Sequence, residues 1–190
     1  MIYKDLSAYI KRTVSIADEE LSHILSFFKK QTAQKNELLL AAGQTSQRTF
    51  FVVGGCVRIY FKDEEGQDST RYIAFENMFA TALVSFITGQ PSLEYIQALE
   101  ASELLYITHE DFNQLRKKIP AWEKFYCNYL EKAHVNTSTR LLSFTTLDAK
   151  ERYRQLLQRN PDVVKRLPNK IVASYLNISQ ETLSRLKSKI

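Results

Sequence analysis

Cysteine is scarce in this chain, and the two present, Cys56 and Cys127, stand far apart. Neither belongs to a closely spaced pair, whereas structural zinc sites and iron–sulfur clusters normally take four Cys or His ligands. Both read as small buried hydrophobes in a reducing cytoplasm. The three histidines, His23, His109 and His134, fall in different predicted elements and form no His-x-His or Glu-x-x-His spacing. No metal, no cofactor and no catalytic residue is therefore expected, which leaves a cupin-like barrel enzyme without the ligand cluster it would need. The chain also lacks any apolar stretch approaching a membrane span, and no basic start leads into an apolar run. A cytoplasmic protein without membrane contact is expected. At 44% hydrophobic and 25% charged residues, the composition excludes a disordered chain.

What is present falls into three stretches. Ile2, Leu6, Tyr9 and Ile10 recur at helical spacing, and Ser15-Ile16-Ala17-Asp18 reads as the cap of a second helix buried through Leu21, Ile24, Leu25 and Phe28. From about Gln31 to Ile107 short apolar or alternating runs follow: Glu37–Ala42, Thr49–Val53, Cys56–Lys62, Ser69–Phe75, Tyr95–Leu99 and Leu104–Thr108. Gly54-Gly55 predicts a tight hairpin and Asp63–Gly66 a longer one. Many short strands without βαβ alternation predict an antiparallel sandwich or barrel. After His109 the pattern turns helical: Asp111–Ile119, then Ala121 to about Thr146 without Pro or Gly, then Lys150–Gln158, closed by Asn160-Pro161. A helix of about 25 residues reaches roughly 38 Å. Along it Trp122, Tyr126, Tyr129, Ala133, Thr137 and Arg140 recur every three to four residues. That stripe is either a dimer seam or a face packed on the barrel; we take these six as the expected dimer interface.

Charge is unevenly placed. The net +5 conceals ten Lys/Arg against three carboxylates from Lys150 onward, over a slightly acidic remainder. A basic C-terminal segment points to a polyanionic partner. Within it, residues 169–188 read as a helix-turn-helix. Ala173 is small where two helices cross, and Val172, Leu176, Ile178, Leu183 and Leu186 supply a shared core. Asn177 suits a left-handed turn position, and Ser179 caps the second helix. The expected DNA-contacting residues are Lys170, Ser179, Gln180, Glu181, Thr182, Ser184, Arg185 and Lys187. Arg grips guanine, Gln pairs adenine, Glu accepts from cytosine, and Ser and Thr near a helix N-terminus suit phosphate.

Over nearly its whole length the sequence resembles the Crp/Fnr family of bacterial transcription regulators. The resemblance rests on the N-terminal helices, Phe51-Val-Val-Gly-Gly-Cys-Val-Arg-Ile-Tyr60, Phe86-Ile-Thr-Gly-Gln-Pro91, the long helix and Ile178-Ser-Gln-Glu-Thr-Leu-Ser-Arg185. It implies an α+β protein: an antiparallel jelly-roll barrel of the cyclic-nucleotide-binding type with flanking helices, a long dimerisation helix and a C-terminal helix-turn-helix, its wing short or absent. Val163–Pro168 then forms a short turn or stub. The implied domains are a barrel at 1–120, a linker helix at 121–147 and a DNA-binding domain at 148–190. The implied partners are double-stranded DNA, a second copy of the chain in a homodimer, and RNA polymerase.

The phosphate cassette departs from the family. Where members that bind cyclic nucleotides carry Gly-Glu-Leu and later Arg followed by Ser/Thr-Ala, this chain has Glu76-Asn-Met-Phe-Ala-Thr-Ala-Leu and Pro91-Ser-Leu-Glu-Tyr95. Met78 falls at the expected Glu and Ser92 at the expected Arg, with Glu94 close by; Arg58 and Arg71 are the cations that could stand in. Burying a phosphodiester beside a carboxylate without a cation is unfavourable. The expectation is a regulator not controlled by cyclic AMP, with an effector the sequence does not name. The competing class is a sensor or protein-interaction module that reads no DNA.

Overall fold

The computed structural model describes residues 2–189. Two short helices, α1 (Tyr3–Thr13) and α2 (Asp18–Ser26), precede β1 (Lys29–Ala33), β2 (Leu38–Leu40), β3 (Arg48–Gly54), β4 (Val57–Lys62), β5 (Asp68–Ala74) and β6 (Phe79–Ala80). A six-residue helix, α3 (Leu83–Thr88), leads to β7 (Tyr95–Ala98) and β8 (Ser102–Thr108). The rest is helical: α4 (His109–Lys118), α5 (Pro120–Thr146), α6 (Ala149–Arg159), α7 (Pro161–Arg166), α8 (Asn169–Leu176) and α9 (Gln180–Lys187). The strands form two four-stranded sheets, ordered β1-β8-β3-β6 and β2-β7-β4-β5.

The chain divides into two compact units. The first holds the chain up to Ile59 with Ile73–Lys132; the second holds Tyr60–Tyr72 with the chain from Ala133 onward. The long helix is thus shared between the units, as is the β4–β5 ribbon.

In the first unit, register decides what faces what. Phe51 pairs with Phe79 and Leu105, so these three side chains share one face of the β1-β8-β3-β6 sheet. That face meets Leu6, Ile10, Leu21, Ile24, Phe112, Trp122 and Phe125 from α1, α2, α4 and α5 in a single core. Aromatic rings dominate it: Phe51–Phe79, Phe86–Phe112 and Phe112–Trp122 meet edge-on at 5.0–5.5 Å, and Trp122 stacks on Phe125 at 4.8 Å. Such pairs contribute about 0.5–1.5 kcal/mol each beyond the area they bury. One residue along, Phe50 pairs with Ala80 and Tyr106 on the opposite face.

In the second unit, Tyr153, Leu156, Val163, Leu167, Ile171, Val172, Ala173, Leu176 and Leu183 are the buried apolar residues of the C-terminal helices. The β4–β5 turn is closed by Asp63, whose carboxylate accepts the N–H groups of Glu65 and Gln67 at 3.0 and 2.8 Å.

Several expectations change. Gly54-Gly55 is no hairpin: β3 and β4 belong to different sheets, and the pair makes the corner between them. Only Gly55 takes a positive φ, +96°, while Gly54 stays in β3 opposite Glu103. The α2 cap is Ala17, without a side-chain cap bond; Asp18 instead accepts Lys11 at 2.6 Å. Val163–Pro168 is not a turn but mostly helix α7, started by Pro161, whose fixed φ and missing N–H suit a first helical turn. β1 and β6 escaped notice: β1, Lys-Lys-Gln-Thr-Ala, buries only Ala33, and β6 has two residues.

Gly55 offers a test of the corner. A Cβ there would fall on the Ser102 hydroxyl and 2.8 Å from the Ala101 carbonyl oxygen. Gly55→Ala should therefore cost about 2 kcal/mol or more, read as a lower urea midpoint at unchanged slope.

Candidate nucleic-acid interface and barrel cassette

The C-terminal helices meet as a helix-turn-helix. The chain leaves α8 through Asn177 at φ 51°, ψ 55°, and the Ile178 N–H returns to the Ala173 carbonyl at 3.1 Å. Asn tolerates this left-handed position because its short polar side chain relieves the usual penalty. Ser179 then caps α9, its Oγ accepting the Thr182 N–H at 3.1 Å. Ala173, Val172, Leu176 and Leu183 are buried as the sequence implied, whereas Ile178 and Leu186 are half-buried.

The expected DNA contacts separate into two kinds. Gln180, Glu181, Ser184 and Arg185 stand exposed on α9, and Lys170 stands exposed on α8. Ser179 and Thr182 are engaged with each other in the cap, and Lys187 donates to the Asn169 carboxamide oxygen at 2.6 Å. Their first role is local. The Glu181 carboxyl is held below its usual range, first by its own backbone N–H and then by Ser179. It stays anionic at the tip of α9.

A second feature was not legible in sequence. Ser174, on α8, accepts the Thr70 N–H at 2.9 Å, meets the Thr70 hydroxyl at 2.8 Å and donates to the Asp68 carbonyl at 2.8 Å. Arg140 of α5 donates from one Nη2 to the carbonyls of both Thr70 and Tyr175. The β4–β5 ribbon and α8 are thus fastened together within the second unit. These residues lie about a hundred positions apart, a separation no local pattern reveals.

The expected dimer stripe is largely used within the chain. Trp122 is inaccessible and Tyr126 is 6% exposed, both inside the aromatic core, and Tyr129 packs 5.7 Å from Phe79. Arg140 is spent on Thr70 and Tyr175, Ala133 is half-buried, and Thr137 is exposed. Of the two readings of this stripe, packing within the protomer accounts for Trp122 and Tyr126, since a side chain sealed in its own core has no surface left for a partner. The open face of α5 lies elsewhere: Val135, Leu141 and Leu142 are 60%, 65% and 61% exposed.

In the barrel, Met78 and Ser92 take part in hydrogen bonds of the turns that carry them. Met78 sits in the turn ahead of β6, its carbonyl accepting the Val52 N–H at 3.0 Å. Leu83 opens α3, with Ala82 at its N-cap. Ala82 is inaccessible, and the first turn of α3 has no acidic residue. Ser92 is 3% exposed and closes its own turn, donating to the Glu94 carbonyl and accepting the Glu94 N–H. Arg58 donates to Gln97 at 2.9 Å, which puts it on the face opposite the inaccessible Ile96 and Ala98. Arg71 lies close enough to Arg140 for their charges to repel. A separate small cavity of about 20 Å³, lined by Thr49, Phe79, Phe86, Phe112 and Tyr129 among others, has room for one water-sized group. Among the described residues, no cluster of three His, Cys, Asp or Glu side chains could hold a metal, and no helix is long and apolar enough to cross a membrane.

The chain thus combines a two-sheet barrel, a long helix and a helix-turn-helix. Residues 30–118 match the cyclic nucleotide-binding domain. The cAMP-activated global transcriptional regulator CRP of Pasteurella multocida is 23% identical over 92% of this chain and 88% of its own length; that of Salmonella typhimurium is 22% identical over 89% and 85%. Among solved structures, the c-di-GMP responsive global regulator CLP of Xanthomonas campestris superposes with a TM-score of 0.74 at 16% identity, covering 91% of each chain. FixK2 of Bradyrhizobium japonicum gives 0.71 at 15% identity over 85% and 83%. Over most of its length the chain is thus similar to regulators of the Crp/Fnr type, and it shares their fold.

Ser174→Ala would take the acceptor from the Thr70 N–H and loosen the ribbon from α8. A loss of about 1–3 kcal/mol is expected, the cost of an unsatisfied buried group. It should appear as faster amide exchange at Thr70 and a lower thermal midpoint.

Proposed function

We propose that this chain is a cytoplasmic transcription regulator that binds an inverted-repeat DNA site as a homodimer and is not controlled by cyclic AMP. The observation that carries the reading is the α8–Asn177–α9 unit, with Gln180, Glu181, Ser184 and Arg185 exposed on one short capped helix. Exposed Gln and Glu in the first turn of α9 and Arg in its last match base edges in the major groove, and Lys170 of α8 with Ser179, Thr182 and Lys187 suit phosphates. A regulator of this kind has no need of catalytic residues, and RNA polymerase is the natural further partner.

The dimer seam we propose is the open face of α5. Val135 and Leu142 are seven residues apart, as are His134 and Leu141, the spacing that keeps one face toward a partner helix. Exposed side chains of this size, adjacent on one helix, are what a second copy of the same helix would cover. Leu141→Asp with Leu142→Asp should yield monomers in sedimentation with the thermal midpoint little changed. Tyr129→Asp should instead lower the midpoint, because Tyr129 packs against Phe79. The opposite pattern would return the seam to the Trp122–Arg140 stripe.

Selection of binding sites from random duplex DNA, run with and without cyclic AMP, tests the function. We expect the same inverted repeat in both arms. Arg185→Ala should relax the choice at one base pair by about 1–3 kcal/mol, and Lys187→Ala should weaken all sites alike. No enrichment in either arm would favour a protein-interaction module. Enrichment only with cyclic AMP would refute the reading of the cassette.

A further inference from the structure

At the elbow between α5 and α6, Arg140 and Arg152 meet about one aromatic ring, that of Phe144. Arg140 on α5 lies 4.7 Å from the Phe144 ring centroid and 4.0 Å from that of Tyr175. Two hydrogen bonds leave from its Nη2 and end on neutral backbone carbonyls, those of Thr70 and Tyr175. Arg152 on α6 lies 5.2 Å from the same Phe144 ring and donates from Nη1 to the Leu147 carbonyl at 2.7 Å. Its Nε is buried and has no acceptor among the described residues. A guanidinium carries five N–H donors, and burying one unmatched is costly. Arg71 adds a third cation near Arg140.

The adjacent carboxylates are engaged elsewhere. Asp148 caps α6 by accepting the Glu151 N–H at 2.8 Å, and Glu151 faces Arg154 at 3.6 Å. No ion pair joins Arg140 or Arg152 to a carboxylate among the described residues. Burial holds the Arg140 pKa below its usual value; the nearby Arg71 and Arg152 act in the same direction and Tyr175 against it. An oxyanion would reverse that balance, because guanidinium forks match phosphate geometry.

We propose that Arg140 and Arg152, set about Phe144 with Arg71 beside them, form a binding site for a phosphate-type oxyanion. The site lies outside the barrel cassette and does not depend on the DNA reading proposed above. Because Arg140 also holds Thr70 and Tyr175, an anion bound there strengthens the tie between the β4–β5 ribbon and α8. The phosphate has two sources, a free phosphate-bearing molecule or the backbone of bound nucleic acid.

The test is calorimetric titration of the full chain with inorganic pyrophosphate, at ionic strength held constant with chloride. Saturable binding is expected, weakened about tenfold or more by Arg152→Gln, the loss of one charged hydrogen bond. Arg154→Gln should leave it unchanged. Arg152→Lys, which keeps the charge but loses the fork, should fall between, and it serves if Arg152→Gln fails to fold. A parallel titration with mixed-sequence duplex separates the sources. Weaker duplex binding by Arg152→Gln, with pyrophosphate competing, assigns the site to nucleic-acid phosphate; unchanged duplex binding assigns it to a free ligand. If neither pyrophosphate nor duplex distinguishes Arg152→Gln from Arg154→Gln, the site does not exist.

Discussion

The burial of Trp122, Phe125 and Tyr126 among Phe28, Phe51, Phe79 and Phe112 is the constraint on which the rest depends. It fixes the first turns of α5 against one sheet and sets the rotation of that helix about its own axis. With 3.6 residues per turn and no Pro or Gly after Pro120, that rotation carries along the whole of α5. The inward face is taken by the core, and further along by the contacts of Arg140. What remains is a face carrying Val135, Leu141 and Leu142, too apolar to be left exposed without reason. The proposed dimer follows from how α5 is held, more than from any property of the seam itself.

The barrel tells a similar story of positions already filled. Where the family resemblance expects a carboxylate and a cation, the sequence reading puts Met78 and Ser92. Ser92 is closed into its own turn, and Arg58 is held by Gln97 on the other face of its sheet. Charge capable of meeting a phosphate is found instead in the C-terminal unit.

How much of this was readable in the sequence depended on range. Elements with strong local patterns, such as the helix over Ala121–Thr146 and the Ser179 cap, were recovered to within a residue or two, because periodicity and capping are local properties. Asn177 in the left-handed turn was legible for the same reason. Gly54-Gly55 misled: a glycine pair signals a sharp change of direction, but whether the next strand returns or crosses to another sheet is decided by distant partners, here Glu103 and Ser102. The aromatic stripe on α5 was seen, yet its partner was not, since a buried face looks alike in sequence whether it meets its own barrel or a second chain. The tie of Ser174 and Arg140 to Thr70 left no trace, because small polar residues and single arginines carry no long-range signal.

The central claim is that α9 from two copies enters successive major grooves of DNA. Major-groove methylation protection on a selected duplex measures this most directly. The account predicts two protected patches about one helical turn apart, roughly 34 Å, both weakened by Arg185→Ala. A single patch, or protection confined to the sugar-phosphate backbone and indifferent to Arg185→Ala, would contradict it.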